Sequence, residues 1–253
     1  MDLQIVKKTA LVTGASKGIG FAVAKSLAAE GVRVIMSARN QANLSKAVED
    51  IRMVGFEAFG IAADVSQAAE IDELFKLTKQ GFGEPDILVI NAGGPPKARA
   101  QDLDDNLTKQ AYELTLMPHI RLANKAIPAM KERGWGRIIN ITSISVKEPV
   151  ANLALSNSFR AAVTGFAKTL ATEIAQYGIT VNNVAPGYTA TERLMDLFSD
   201  KKALADFSQT IPAKRLATPE EVAAAAVFLA SKQAAYITAQ TILVDGGMAK
   251  GLF

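Results

Sequence analysis

Short apolar runs alternate with longer helical patterns along almost the whole chain. The short runs are rich in β-branched and other apolar residues, which is typical of strands buried on both faces. They cover residues 9–13, 32–37, 57–62, 86–90, 136–142, 179–184 and 241–244. The segments between them have helical length and an amphipathic or Ala-rich pattern, at residues 19–30, 40–53, 68–80, 103–133, 153–177 and 219–230. This alternation predicts an α/β protein with one parallel sheet of about seven strands and helices on both faces.

The chain is expected to form one domain, residues 1–253. It is 49% hydrophobic and 21% charged, a balance that excludes a disordered or fibrous protein. No Pro/Gly-rich linker, low-complexity tract or internal repeat divides it. One long connection, residues 187–216, is polar and rich in turn residues, and such insertions are more often binding loops than random elaborations. We therefore predict a substrate lid at residues 187–216.

Charge, cysteine and histidine content exclude several classes of protein. The 28 Lys and Arg against 25 Asp and Glu leave a net charge of +3, too small and dispersed to predict a nucleic-acid partner. With no Cys and one His, His119, neither a disulfide nor a Cys- or His-rich metal site can form. The N-terminus lacks the apolar core of a secretory leader, and the longest apolar run, residues 222–230, is shorter than the about 18 residues that span a bilayer. We expect a soluble cytoplasmic protein without a membrane partner or metal.

A glycine-rich turn follows the first predicted strand and leads into a helix. Glycines in such a turn let the backbone approach a pyrophosphate, whose charge is held by free N–H groups at the helix N-terminus. The spacing differs from Gly-x-Gly-x-x-Gly, and an ordinary strand-to-helix turn is the alternative. The strand before and the helix after favour a dinucleotide site that includes Gly14, Ser16, Lys17, Gly18, Ile19 and Gly20.

The end of the second strand indicates which dinucleotide binds. A site that prefers NAD usually has an acidic residue there for the ribose 2′-OH, but this chain has Arg39. Arg39 can form a charge-assisted fork with a 2′-phosphate, and Lys17 can add a second positive charge. The alternative is that both are ordinary solvated side chains. We predict NADP(H) as the cofactor.

These motifs resemble those of the short-chain dehydrogenase/reductase family, from Thr13 to Gly247. The further matches are the family's adenine contact, the motif after its fourth strand and the turn beside its nicotinamide: Asp64 and Val65; Asn91, Ala92 and Gly93; and Pro186 and Gly187 with Thr189 and Thr191. The resemblance implies a doubly wound (Rossmann) domain, usually in a homotetramer. It also implies hydride transfer between a nicotinamide and a carbonyl or alcohol.

The family's catalytic pattern is Asn, Ser, Tyr and Lys, and three of these positions differ here. The resemblance places Ser143 at the Ser position. It places Ser156 at the Tyr position, Arg160 at the Lys position and Thr115 at the Asn position. No shift of register restores the motif, since the first tyrosine after Ser143 is Tyr177. The catalytic tyrosine and lysine are therefore expected to be absent.

The segment after Ser143 narrows the resemblance. Lys147, Glu148 and Pro149 follow the serine, as in a divergent subgroup often labelled 3-oxoacyl-ACP reductase and related to a reductase of bacilysin biosynthesis. That label is inherited from the parent family and does not establish a substrate. The implied substrate is a small molecule or a carrier-bound acyl group.

The substitutions limit the acid–base chemistry that the site can perform. A serine hydroxyl is a far weaker acid than a phenol, and a guanidinium does not lose its proton, so Ser156 and Arg160 cannot act as an acid–base couple. Arg160 can instead hold the nicotinamide ribose and place positive charge near a developing alkoxide. Ser143 can donate to the carbonyl oxygen, and Lys147 can supply the proton, unless it is an ordinary solvated loop lysine.

Two functions remain open. The first is an NADPH-dependent reductase of a carbonyl or of a conjugated enone. Reduction produces a basic alkoxide or enolate that can take its proton from water, whereas oxidation of an alcohol requires a base on the protein. The second is a non-catalytic NADP(H)-binding protein with a structural or sensing role. His119, one turn beyond Thr115, either faces the site or is structural.

Overall fold

Seven strands form one parallel sheet in the order β3-β2-β1-β4-β5-β6-β7. The computed structural model describes residues 1–195, 198 and 200–252. The strands are β1 Thr9–Thr13, β2 Arg33–Ala38, β3 Ala58–Ala62, β4 Ile87–Ile90, β5 Gly136–Ile141, β6 Ile179–Pro186 and β7 Thr241–Val244. The order reverses between β1 and β4, and ligands of such sheets bind at the carboxyl ends of the strands beside this reversal. The predicted doubly wound fold with seven strands is confirmed.

Helices cover both faces of this sheet. They are α1 Gly18–Ala29, α2 Gln41–Met53, α3 Ala68–Phe82, α4 Asp105–Ala111, α5 Met117–Arg133, α6 Ala154–Ile174, α7 Glu192–Met195, α8 Lys201–Ser208 and α9 Pro219–Ala230. One core joins α1, α2 and α9 to the sheet, and the other joins α3, α5 and α6. Successive residues of β1 alternate between these cores, Val12 in the first and Leu11 in the second, as the two-residue period of a strand requires.

The helix predicted over residues 103–133 is interrupted. It begins at α4, whose N-cap Asp104 accepts a hydrogen bond from the backbone N–H of Leu107. A turn of π-helix, Tyr112–Leu116, then separates α4 from α5. Pro118 lies in the first turn of α5 and has no N–H to donate to the preceding turn, which favours an irregular winding just before it. The long predicted helix is therefore broken by a π turn that contains Thr115.

The connection over residues 187–216 contains two short helices, α7 and α8. Residues 196, 197 and 199 of this segment lie outside the described residues. An edge-to-face contact between Tyr188 and Phe207, with ring centroids 4.5 Å apart, packs α8 against the start of the segment. None of the described helices is both long and apolar enough to cross a bilayer.

Thr218 is the N-cap of α9. Glu221 donates its backbone N–H to Thr218 Oγ1 over 3.3 Å, and the Glu221 carboxylate accepts the Thr218 N–H over 2.8 Å. This reciprocal pair is a capping box, and Pro219 occupies the first helical position. The cap fixes the start of a helix that packs on α1.

Replacing Thr218 with alanine is expected to lower the free energy of unfolding by about 1 kcal/mol, because one N-terminal N–H of α9 loses its acceptor. Denaturant unfolding measures the change. Thr218→Ser, which keeps the hydroxyl, is the matched control and should unfold close to the parent protein. Equal loss in both variants would show that the methyl group, not the cap, matters here.

Candidate active site

A cleft of about 670 Å³ opens at the carboxyl ends of β1, β2 and β4. It lies where the strand order reverses, which is the usual place for a dinucleotide in this type of sheet. Most residues predicted to bind the cofactor line it: Gly14, Ser16, Lys17, Gly18, Ile19, Arg39, Asp64, Val65, Asn91, Ala92, Gly93 and Thr191. The structure thus brings together segments that are far apart in the sequence.

The glycine turn is held closely against the end of β4. Asn91 donates its backbone N–H to Thr13 Oγ1 over 3.0 Å and its side-chain amide to the Gly14 carbonyl over 3.2 Å. Gly14 has φ of +58°, and a Cβ there would collide with the Asn91 carbonyl. A Cβ on Gly20 would collide with the Gly14 carbonyl, so Gly20 allows α1 to approach the turn without lining the cleft itself. Only glycine permits this backbone to form the wall of the cleft.

The N-terminus of α1 fits an anionic group. Its N-cap, Lys17, makes no side-chain capping hydrogen bond, and the first turn contains no acidic residue. The first N–H groups of a helix have no partner within the helix, and the helix dipole adds partial positive charge there. The turn and helix therefore suit the pyrophosphate of a dinucleotide.

The charged residues of the cleft differ in whether they have a partner of opposite charge. Arg39 follows β2 directly and is exposed at the rim. Lys17 Nζ lies 2.5 Å from a carboxylate oxygen of Glu192 on α7, so its charge is partly compensated. The Asp64 carboxylate accepts the backbone N–H and the hydroxyl of Ser66 over 3.0 and 2.8 Å. Of the two cations predicted for the 2′-phosphate, Arg39 makes no ion pair among the described residues.

The predicted nicotinamide-side residues divide into two groups. Pro186, Gly187 and Thr189 do not line the cleft but shape the segment that reaches it. Gly187 donates its N–H to the Val244 carbonyl over 2.9 Å, which joins the end of β6 to β7. Thr191 lines the cleft, and its hydroxyl accepts the Leu194 N–H at the start of α7 over 3.3 Å.

Ser143 and Arg160 both lie at the carboxyl end of β5. Arg160 reaches from α6 and donates through Nη1 to the Ile141 and Thr142 carbonyls over 3.1 and 2.9 Å. Ser143 directly follows, and its hydroxyl oxygen accepts the Ser145 N–H over 3.2 Å. Because that bond uses an oxygen lone pair, the Ser143 O–H remains able to donate.

The other predicted catalytic residues lie around this pair. Ser156 is buried one turn before Arg160 on α6, whereas Lys147 is exposed after the short turn that follows Ser143. Thr115 is fully buried in the π turn, and its hydroxyl has no partner among the described residues. None of the predicted catalytic residues lines the cofactor cleft itself.

His119 is a structural neighbour of Thr115. Its Nδ1 lies 2.8 Å from the Thr115 carbonyl, so this nitrogen carries the proton and donates it. Burial and the nearby Arg160 charge lower the pKa of His119 to about 3. The imidazole is therefore neutral at physiological pH, and its Nε2 has no partner among the described residues.

Several residues of the site were missed in the sequence. Besides Glu192, the additional lining residues are Phe21, Ala38, Asn40, Asn43, Ala63, Ser66, Leu114, Ala190, Arg193, Pro219 and Glu220. Arg193 donates to the Gly94 and Pro95 carbonyls, each over 3.3 Å. Some of these residues directly adjoin predicted cofactor-binding ones in the sequence, such as Phe21, Asn40 and Ser66. Others, such as Leu114 and Glu220, reach the cleft only through the tertiary fold. Across the described ranges, no group of three or more His, Cys, Asp or Glu side chains is placed to hold a metal ion.

Comparisons with known proteins agree with this architecture. A family model described as "Enoyl-(Acyl carrier protein) reductase" matches residues 14–249. The 3-oxoacyl-[acyl-carrier-protein] reductase FabG of Escherichia coli (strain K12) is 39% identical over 241 residues, covering 95% of this chain and 97% of that protein.

Two solved structures have nearly the same fold. YwfH, described as an NADPH dependent reductase involved in bacilysin biosynthesis, is 32% identical with a TM-score of 0.93, over 97% of this chain and 100% of that one. The L-sorbose reductase of Gluconobacter frateurii, complexed with NADPH and L-sorbose, is 35% identical with a TM-score of 0.95, over 100% of both chains. Together with the sheet order and the glycine turn, these similarities show that the chain belongs to the short-chain dehydrogenase/reductase family.

Proposed function

We propose that the protein is an NADPH-dependent reductase that transfers hydride to a carbonyl, 3-oxoacyl or conjugated enone substrate. The observation that carries this proposal is that the glycine-lined cleft and the pair formed by Ser143 and Arg160 lie at the carboxyl ends of neighbouring strands. The similar E. coli protein is named a 3-oxoacyl reductase, and the two similar structures are described with NADPH. A cofactor cleft beside a hydroxyl donor suits hydride transfer to an oxygen-bearing carbon.

The cleft would hold the cofactor through backbone and charge. The glycine turn and the α1 N-terminus take the pyrophosphate, and Arg39 takes the adenosine 2′-phosphate. When bound, the dihydronicotinamide supplies the hydride. Thr191 lies on the side of the cleft nearest to α7, and the turn through Pro186 and Gly187 leads into the segment that carries it.

The active site is atypical for the family. By the family resemblance, Ser156, Arg160 and Thr115 occupy the positions of Tyr, Lys and Asn, so no phenol is available as general acid. Burial and the Arg193 charge lower the pKa of Arg160 to about 10, which still leaves the guanidinium protonated at neutral pH. Arg160 therefore acts by position and charge, and Ser156 serves as packing beside it.

Ser143 is the group that touches the substrate oxygen. Its O–H donates to that oxygen while the Arg160 charge, held at the same strand end, stabilises the negative charge that develops. The proton that completes the alcohol is supplied by the ammonium group of the exposed Lys147. Water at the open side of the site carries it to the substrate oxygen. A conjugated enone would need less of this assistance because its enolate is less basic than an alkoxide.

The segment over residues 187–216 is proposed as a lid. Its α7 already contacts both walls of the cleft, through Glu192 to Lys17 and through Arg193 to the loop after β4. Such a segment can exclude water once the substrate is bound. A homo-oligomer, a tetramer by family resemblance, stays a prediction, as does a carrier-bound form of the substrate.

The choice of NADPH over NADH is expected to depend on Arg39. Arg39→Ala should weaken NADPH binding by about 10- to 100-fold, the usual cost of losing a charge-assisted hydrogen bond, and leave NADH binding unchanged. Fluorescence titration of the reduced cofactors measures both. Lys46→Ala removes an exposed charge from the neighbouring helix α2 and should change neither affinity. Equal weakening of NADPH and NADH would contradict the assignment of Arg39 to the 2′-phosphate.

Turnover is expected with NADPH and at least one member of a panel of 3-oxoacyl thioesters, simple ketones and conjugated enones, followed by the loss of reduced-nicotinamide absorbance. Ser143→Ala should lower kcat by about 100- to 1000-fold without changing NADPH affinity, because one donor to the substrate oxygen is lost.

Ser158→Ala, an exposed serine on α6, is the matched control and should retain activity. NADPH binding without turnover across the panel would favour the non-catalytic NADP(H)-binding alternative. Full activity of Ser143→Ala would refute its role as the donor.

A further inference from the structure

Two guanidinium groups occupy the ends of adjacent strands in the site. Arg160 is bound to the carbonyls of Ile141 and Thr142 at the end of β5. Arg193 is bound to the carbonyls of Gly94 and Pro95 in the loop that follows β4. Since β4 and β5 pair directly, Arg160 on α6 and Arg193 on α7 bring two positive charges to the same edge of the sheet. Of the two, Arg193 lines the cleft.

The surrounding backbone fixes where these side chains can lie. The loop after β4 is joined to the start of α6 by hydrogen bonds from Ala98 N–H to the Asn152 carbonyl and from Ala154 N–H to the Ala98 carbonyl, over 3.0 and 3.2 Å. A Cβ on Gly94 would collide with the Arg193 guanidinium. The absence of a side chain there thus lets Arg193 lie flat against the loop.

Neither guanidinium has a carboxylate partner within residues 1–195, 198 and 200–252. Their hydrogen-bond acceptors are backbone carbonyls, which carry no net charge. Two neighbouring acids have other contacts, because Glu192 pairs with Lys17 and Glu148 accepts the Lys250 N–H. Burial and, after it, the charge of Arg193 lower the pKa of Arg160, so the two positive charges repel one another. An anion bound between them would remove this repulsion.

Both side chains retain donors for such an anion. Arg160 uses only Nη1, and its Nε and Nη2 donate to no described residue. Arg193 uses one contact from each Nη and none from Nε. The planar fork of a guanidinium matches the two oxygens of a carboxylate.

We propose that Arg160 and Arg193 form a subsite for a carboxylate of the substrate, so that the protein prefers carbonyl or enone substrates that are carboxylic acids. This inference rests on the proposed reductase function and specifies its substrate class. Arg193 belongs to the candidate lid, so binding of the carboxylate would also hold α7 against the loop after β4. The competing occupant of Arg193 is the cofactor pyrophosphate, and the experiment separates the two.

The test compares an acid with its neutral ester on the loaded protein. Calorimetry with the protein saturated with NADP⁺ measures binding of 4-oxopentanoate and of methyl 4-oxopentanoate, and of 2-oxobutanoate and its methyl ester. At least one acid should bind about tenfold or more tightly than its ester. Arg193→Met should abolish that preference, and Arg193→Lys should keep part of it. Lys25→Met removes an exposed charge from α1 and should keep all of it.

The variants also exclude the competing occupant. In Arg193→Met the acid-to-ester ratio should fall by a larger factor than the NADPH affinity. If Arg193→Met weakens NADPH binding and leaves the acid-to-ester ratio intact, Arg193 serves the cofactor and the inference is wrong. Esters that bind as tightly as their acids in the parent protein would also overturn it. Arg160 is not used as the primary variant, because its contacts with β5 make it part of the fold.

Kinetics with NADPH distinguish failure of this inference from failure of the proposed function. Selective binding of an acid with no oxidation of NADPH by any substrate would refute the reductase but support the subsite. Reduction of ketones and esters with no preference for acids would support the reductase and refute the subsite.

Discussion

The contact between the ends of β1 and β4 is the constraint on which the site depends. Asn91 joins the two strands through Thr13 and Gly14, and the Ala15 N–H extends the junction to β2 by bonding to the Ser37 carbonyl over 3.0 Å. These bonds fix the glycine turn at the point where the strand order reverses. The α1 N-terminus then faces the cleft because its helix starts directly from this turn. Loss of the junction would move the backbone that is proposed to hold the pyrophosphate.

Four cationic side chains lie in or near the rest of the cleft. Positive groups approach from four elements: the α1 N-terminus with Lys17, the end of β2 with Arg39, α6 with Arg160 and α7 with Arg193. Only Lys17 among these four side chains has a carboxylate partner in the described part of the chain. The cations without a carboxylate partner suit a phosphate-bearing cofactor and, by our inference, an acidic substrate. The neutral His119 nearby adds no charge to this balance, because burial keeps it deprotonated.

Sequence patterns predicted the repeating framework well. Each predicted strand was found within two residues of its bounds, since buried parallel strands have an unmistakable apolar composition. The start of α9 is likewise set locally, because Thr218 and Glu221, three residues apart, cap the helix together. The π turn beside Thr115 was missed, since a π turn and an α-helix share the same residue preferences and differ only in winding. The helices α7 and α8 were missed because the segment is polar and its helices are short.

The sequence by itself determined the class of fold, the glycine turn and the presence of Arg39 where an acidic residue is common. These features depend on residue type and local spacing, and both can be read along the chain. Only the tertiary structure decided that Glu192 pairs with Lys17 and that His119 bonds to the Thr115 carbonyl within a buried π turn. It also decided that Arg160 binds carbonyls at the end of β5 and Arg193 binds carbonyls in the loop after β4. The physical reason is that charge pairing, burial and convergence depend on distances between segments that lie far apart in sequence, and the sheet order sets those distances.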